Sequence, residues 1–253
     1  RLYAAHSQVN QAIVHAETRD VLLREVCRSL VESGRFVMAW VGWPDPTSRR
    51  IAPVAHFGDA AAYLGDIRIT IDSEPEGQGP TGTALREGRT VVANDLQNDP
   101  RTRPWHETAR RAGYRSAIAL PIRVNGATSA TLTVYAAEAG FFGAPEIALI
   151  EEAALDVGFG LASLELETQR ARAEEALSRS LHEKEALLQE VHHRVKNNLQ
   201  VIASLLRLET GRAGESSTRV VLKEMQGRIR SMALLHETLY RTGNFARVDL
   251  ADY

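Results

Sequence analysis

The chain holds a single cysteine, Cys27. It can therefore form no internal disulfide, and nothing in it calls for an oxidising compartment. Cys27 lies among Val21, Leu22, Val26, Leu30 and Val31 and reads as a small buried hydrophobe rather than a reactive thiol. No run approaches the roughly 20 apolar residues that a membrane span needs. The N-terminus lacks the basic-then-apolar order of a signal peptide, so a cytoplasmic protein with no membrane span is expected. Neither sign of charge dominates: 30 Lys and Arg stand against 32 Asp and Glu, a net charge of −2. No global field draws nucleic acid, and no nucleic-acid partner is expected. What is present is ordinary globular material, 44% hydrophobic over 253 residues, enough for one large or two modest domains. The chain starts at Arg1 and stops at Tyr253 in a polar-apolar mix, and reads as a piece of a longer protein.

Hydrophobic spacing divides it in two. Residues 1–33 predict a helix, with Leu2, Ala5, Val9, Ala12, Ile13 and Ala16 at steps of three and four and Gly34 as its end. Strands are expected at Phe36–Trp43, Ile51–Phe57, Asp66–Ile71, Val91–Ala93, Arg115–Arg123 and Ala130–Ala137. Asn125-Gly126 marks a hairpin between the last two. Short helices are expected at Thr83–Glu87 and near Trp105–Arg111. This mixture predicts an α+β domain. The loop Gly77–Gly82 has no Lys-Ser/Thr pair after it and is not a P-loop.

No proline follows Pro145, and the remainder predicts helix alone. Ile147, Ile150, Ala154, Val157, Leu161 and Leu164 form one heptad-like seam. Leu177, Leu181, Leu188, Val191, Val195, Ile202 and Leu205 form a second. Leu164 and Leu177 are thirteen residues apart, one short of two heptads, so the seams differ in phase. Read as two coiled-coil registers that cannot both be satisfied, the slip predicts a bistable signalling element. After a turn at Gly211–Ser217, the residues Val221, Met225, Ile229, Met232, Leu235 and Leu239 give an antiparallel partner helix ending at Gly243. Such a hairpin buries its seam by pairing, most simply as a dimeric four-helix bundle.

With Leu181, Leu188, Val195 and Ile202 at heptad position a, His192 falls at e and His193 at f, the position facing water. Glu190 and Asn197, three before and four after His193, share its face. A neutral imidazole is a nucleophile at cellular pH, and Arg194 and Lys196 would offset the charge of an incoming phosphate.

The run Glu190-Val191-His192-His193-Arg194-Val195-Lys196-Asn197-Asn198-Leu199-Gln200 closely resembles the dimerisation and phosphoacceptor domain of sensor histidine kinases related to the HWE kinases. Arg228-Ile229-Arg230-Ser231-Met232-Ala233-Leu234-Leu235-His236-Glu237-Thr238-Leu239-Tyr240 resembles that subfamily's second helix. The resemblance covers roughly residues 177–253. It implies that His193 is phosphorylated, by ATP with magnesium held on a separate domain, and that the phosphoryl group passes to a response-regulator receiver. That ATP-binding domain is not recognised in this chain, which on its own is expected to be inactive. Commoner kinases carry an acidic base directly after the acceptor. Here that place is Arg194, which leaves Glu190 as the candidate base. Asn197 matches a position that helps place water for partner dephosphorylation.

The first half resembles a GAF domain through Phe36–Trp43, Gly79-Pro80-Thr81-Gly82-Thr83-Ala84 with Arg86-Glu87-Gly88, Val91–Asp95, Asp99-Pro100-Arg101 and Tyr114-Arg115-Ser116 leading to Leu120-Pro121-Ile122. This implies a central antiparallel sheet and a small-molecule pocket whose ligand is unknown. A bilin would need a pocket cysteine. Asn94, Asp95 and Asp99 resemble part of a cyclic-nucleotide signature but read first as turn residues. His56 and His106 are candidates for haem iron, with no second-ligand pattern beside them; no metal is expected. The expected order is a GAF domain at 1–145, a coiled-coil signalling helix at 146–184, and a homodimeric phosphoacceptor domain at 185–253 with helices at about 185–210 and 217–243. The alternatives are a histidine phosphotransfer protein without kinase activity, and a ligand-binding GAF module with a structural dimerising coiled coil.

Overall fold

The computed structural model describes residues 2–34, 36–58 and 61–241, excepting the side chains of 2–5, 61–62 and 237–241. The expected helix end at Gly243 and the side chain of Leu239 lie outside the described residues, as do the side chains of Leu2 and Ala5. The chain forms two compact units, Arg1–Arg170 and Ala171–Tyr253.

In the first unit the expected N-terminal helix is two, α1 (Leu2–His15) and α2 (Arg19–Gly34). Thr18 makes the break: its hydroxyl accepts from Val21 N at 3.3 Å, which caps α2. Five strands follow, β1 (Met38–Pro44), β2 (Ile51–Gly58), β3 (Val91–Ala93), β4 (Ser116–Val124) and β5 (Ala127–Ala136). They form one antiparallel sheet in the order β2-β1-β5-β4-β3. Asn125 and Gly126 turn the β4–β5 hairpin with φ of 52° and 83°, the pair of positive angles that an Asn-Gly turn supplies. The expected strand at Asp66–Ile71 does not form. Asp66 ends a short helix, α3 (Ala61–Asp66), and Thr70 makes only an isolated bridge to Arg50. Thr70 N donates instead to Glu76 O at 3.2 Å, so its backbone serves the turn back toward α4 (Pro80–Glu87). A 3₁₀ turn at Pro100–Trp105 and α5 (His106–Ala112) complete the connections.

Alternation along the strands gives the sheet two buried faces. Ala39, Val41, Ile118, Leu120, Leu132 and Val134 pack against Leu22, Leu23 and Val26 of α2. Met38, Trp40, Ala117 and Tyr135 point the other way, under Tyr63, Leu85 and Trp105. Burial on both faces is why β4 reads as a near-continuous apolar run, while β5 buries Thr131 and Thr133 among its apolar residues.

The long helix α6 (Ala144–Arg212) begins in this unit. Ile150, Ala154, Val157 and Leu161 are 1, 2, 0 and 5% exposed within the same core as α2. Ile147 and Leu164 pack against its edge. This corrects the expected coiled-coil seam at 147–164: it is the inner face of a helix laid on the sheet. A Cβ on Gly158 would stand 2.3 Å from the Arg123 carbonyl oxygen, so only glycine permits that approach. The first unit therefore runs to Arg170, past residue 145. With no coiled-coil seam there, the phase slip is not a conflict between two coiled-coil registers.

The second unit is a hairpin of the rest of α6 and α7 (Ser216–Arg241). His192, Val195, Lys196, Leu199, Ala203 and Leu206 are half-buried, a stripe at helical spacing that faces α7. Of the expected seam, Leu177, Leu181, Leu188, Val191, Ile202 and Leu205 are 43–65% exposed, while Val195 belongs to the half-buried stripe. Val221, Met225 and Met232 are likewise exposed on α7. The intrachain contact uses a stripe rotated from the seam; Val195, Ile229 and Leu235 are half-buried, and the rest of the described seam stays open.

Candidate phosphoacceptor site

His193 stands exposed on α6. His192, one residue earlier, turns toward α7. Its Nδ1 lies 3.2 Å from Nε2 of His236, with the rings 4.6 Å apart at 58°. One ring nitrogen must donate to the other. The heptad phase thus separates the two histidines correctly: one is held in the hairpin and the other presented to solvent. The His236 partner is absent from any sequence signal, since only the fold brings together residues 44 positions apart.

Asn197 is exposed one turn beyond His193. Glu190, one turn before it, is bound to its own helix: Arg194 Nε donates to Glu190 Oε1 at 2.7 Å. Both side chains are more than half exposed, so this i,i+4 pair contributes only about 0.3–0.5 kcal/mol and yields readily to a stronger partner. In this state the candidate base and one candidate phosphate cation neutralise each other. Lys196 is half-buried beside α7. No acidic residue occurs between Val191 and Leu208. Lys196 and Arg207 of α6 face Lys223 and Arg230 of α7 along a groove of about 690 Å³ floored by Leu199, Ala203 and Ile229. This stretch of α6 is thus electropositive, which suits phosphate and an acidic partner surface.

The first unit offers a second place for chemistry. The cavity on the Trp40 face of the sheet is small, about 20 Å³, room for roughly one water. Tyr63, Tyr114 and Tyr135 fill the space, with ring centroids 4.9–5.4 Å apart. Burial pushes the Tyr63 hydroxyl well above its ordinary range and raises that of Tyr135, so both are neutral. Thr81 and Thr133 share a hydrogen bond at 3.0 Å on the cavity wall. Cys27 lies on the opposite face of the sheet, fully buried, its thiol pushed up to about 12 by desolvation. It neither reaches the cavity nor acts as a thiolate.

The remaining candidates are structural. Asn94 clasps the backbone of Phe142, donating to its O at 2.9 Å and accepting from its N at 3.1 Å. Asp95 accepts from Asn98 at 3.0 Å. Asp99 caps the 3₁₀ turn by accepting from Arg101 N, and the Arg101 guanidinium at 2.6 Å holds its carboxyl below the usual range. His106 Nε2 bonds to Asp99 O at 2.9 Å, and His56 is exposed on the edge strand β2. No group of three metal-ligating side chains occurs among the described residues. The glycines of the Gly77–Gly82 loop serve packing. A Cβ on Gly77 would stand 1.8 Å from Asp72 O and one on Gly82 2.5 Å from Thr70 O, which leaves no cradle for a phosphate. No described helix is long and apolar enough to cross a membrane.

Comparison with known proteins gives two family matches. The family described as histidine kinase matches residues 190–253, and the GAF-domain family matches residues 16–162. The sensor histidine kinases PdtaS of Mycolicibacterium smegmatis and of Mycobacterium tuberculosis are each 48% identical over 61 residues, 24% of this chain. The match spans 12% of the length of those relatives. Among solved structures, the free methionine-R-sulfoxide reductase of Neisseria meningitidis aligns with a TM-score of 0.56 at 18% identity, over 66% of this chain and 91% of that one. The GAF domain of a phosphoenolpyruvate-protein phosphotransferase from Coxiella burnetii aligns at 0.53 and 18%, over 69% and 96%. At that identity the likeness is one of fold. The chain belongs to the GAF-domain family through residues 16–162, and joins that domain to a histidine kinase segment at residues 190–253.

Proposed function

We propose that the chain is the sensory and phosphoacceptor part of a two-component sensor histidine kinase acting in the cytoplasm, with His193 as the acceptor. The observation that carries this is the contrast within the pair: His192 is engaged with His236, while His193 is exposed on an electropositive helix free of acids from Val191 to Leu208. A ring nitrogen of His193 attacks the γ-phosphorus of ATP, bound with magnesium on a catalytic domain. The bond to the ADP oxygen breaks and the imidazole loses its proton. The phosphoryl group then moves to an aspartate oxygen of a response-regulator receiver. Arg194 and Lys196 offset the incoming charge. Glu190 is the proton acceptor once Arg194 turns from it to phosphate, and Asn197 places water when the partner is dephosphorylated. A homodimer covers the open seam of α6 and α7 and completes a four-helix bundle. The GAF domain biases α6, either empty or through a small polar ligand that displaces part of the tyrosine cluster.

The test is transfer in trans. The chain is mixed with ATP, magnesium and a histidine kinase catalytic domain, and acid-labile phosphate is followed. Labelling that disappears in His193→Ala and persists in His192→Ala is expected. Labelling that survives His193→Ala overturns the assignment. Labelling only from a phosphorylated receiver, never from ATP, identifies a phosphotransfer protein instead.

A further inference from the structure

The two faces that close the hairpin end on the same pair of residues. On α6 the half-buried stripe begins at His192, the first residue after Leu164 that is not exposed. On α7, Leu222, Gln226, Ile229, Ala233 and His236 are half-buried at steps of four and three, the spacing of one helix face. His192 lies twenty residues before the end of α6 at Arg212, and His236 twenty after the start of α7 at Ser216. An antiparallel hairpin therefore sets the two rings at one height, about 30 Å from the turn at roughly 1.5 Å per residue. The contact found there is a hydrogen bond between Nδ1 of His192 and Nε2 of His236, 3.2 Å apart. Nearer the turn, Val195, Leu199 and Ala203 meet α7 through apolar side chains. Apolar contact is non-directional, whereas a hydrogen bond fixes both the rotation and the height of the helices that share it.

We propose that His236 is a positioning residue for phosphoryl transfer, a role that rests on His193 being the acceptor. Through the ring of His192 it fixes the rotation of α6 at the level of the acceptor, and so the direction in which the next residue, His193, faces. A rotation of α6 that carried His192 away from α7 would swing His193 through the same angle. Misplacing a reacting group by about 1 Å costs up to roughly 10²-fold in rate, so a hold one residue from the nucleophile is well placed to govern it.

The same bond has a second effect. His192 is itself an imidazole beside the acceptor, and its Nδ1, engaged with His236, is withheld from an incoming phosphoryl group. One contact thus aims the first histidine and occupies the second. Positioning also fits the surroundings better than metal binding between the rings. Lys196, one turn after His192 on the same face, places a positive charge where a cation would sit, and no third ligand joins the pair among the described residues.

The test uses the full chain with ATP, magnesium and a histidine kinase catalytic domain. His236→Leu fills the space without a hydrogen bond, and His236→Gln keeps a polar side-chain nitrogen near the place of Nε2. At saturating catalytic domain, His236→Leu is expected to label about tenfold more slowly and His236→Gln within about twofold of the parent chain, with the half-saturating concentration little changed in either. His192→Ala should still label, slowed by the same factor. The double variant should be no slower than either single one, because one contact is broken only once. Labelling of His236→Leu at the parent rate, or losses that multiply in the double variant, overturns the proposal. Acylation by diethyl pyrocarbonate without ATP, mapped by peptide mass spectrometry, reads the contact independently of the kinase reaction. His192 is expected to react several-fold faster in His236→Leu than in the parent chain, and unchanged reactivity overturns the contact. A parent chain that never labels at His193 sinks the acceptor reading and the positioning role with it, while the acylation result still decides whether the contact holds.

Discussion

The two units meet the problem of apolar surface in different ways. Every buried hydrophobic among the described residues lies between Val9 and Leu161, and from Glu165 to His236 no residue is buried at all. The sheet unit closes both faces of its sheet with its own helices. The helical unit carries leucines, valines and methionines at higher density but leaves most of those described half-exposed or more. Each such side chain forgoes part of the about 1.5–3 kcal/mol that full burial supplies, and long helices owe their stability mainly to packing of an apolar face. The contrast marks the first unit as one that buries its own core and the second as one that, among the described residues, does not. On the proposed function, the first unit is the sensor core and the second the acceptor hairpin, with its exposed seam kept for assembly and His193 on another face.

Substitutions in the two units sharpen the contrast. Leu132→Ala, in the middle of β5, is expected to cost about 2–5 kcal/mol in denaturant unfolding of the sheet unit. Leu188→Ala, equally apolar but 51% exposed, is expected to leave that transition within about 0.5 kcal/mol and to act only on association. If Leu188→Ala damages the sheet unit as much as Leu132→Ala, the division fails.

Asn94 comes next. Its two bonds to Phe142 tie the end of β3 to the segment that enters α6. Asn94→Ala is expected to cost about 1–3 kcal/mol in the same unfolding experiment, since it strands the Phe142 amide and carbonyl. A third outcome separates the units by concentration. The helical transition should rise in temperature as the chain is concentrated, while the sheet transition stays fixed. Calorimetry at two concentrations reads both.

Smaller effects remain. The Asp99 carboxyl is held below its ordinary value of 3.8 by Arg101. Its stabilising contribution is therefore complete above about pH 4 and lost as pH falls below that value. Asp99→Asn should flatten this part of the acid limb of the sheet transition and leave the helical one unchanged. Breaking the exposed Glu190–Arg194 pair with Arg194→Ala should alter stability by under about 0.5 kcal/mol, while slowing phosphoryl transfer by more than that energy explains.

Much of this organisation is legible in the residues themselves. Asn125-Gly126 announces the β4–β5 hairpin because its two positive φ angles suit few other pairs. The exposure of His193 follows from heptad phase alone. Other features need the fold. The stripe Ile147–Leu164 has the same three-four spacing whether it faces a sheet or another helix, so periodicity cannot choose between them. The break at Thr18 had a local signal, a hydroxyl able to cap α2, but apolar steps on both sides mask it. The strand expected at Asp66–Ile71 has alternating isoleucines, yet Asp72 to Gly77 turns the chain before a ladder can form. The His192–His236 contact depends on how the hairpin closes and has no local signature.

The central claim is that His193, and not its neighbour, carries the phosphoryl group. It is tested most directly by mapping the label: the phosphorylated chain is digested at neutral pH and the phosphohistidine located by fragmentation of the peptide spanning Glu190–Gln200. The account predicts phosphate on the ring of His193. Phosphate on His192, or on His236 across the hairpin, would contradict it.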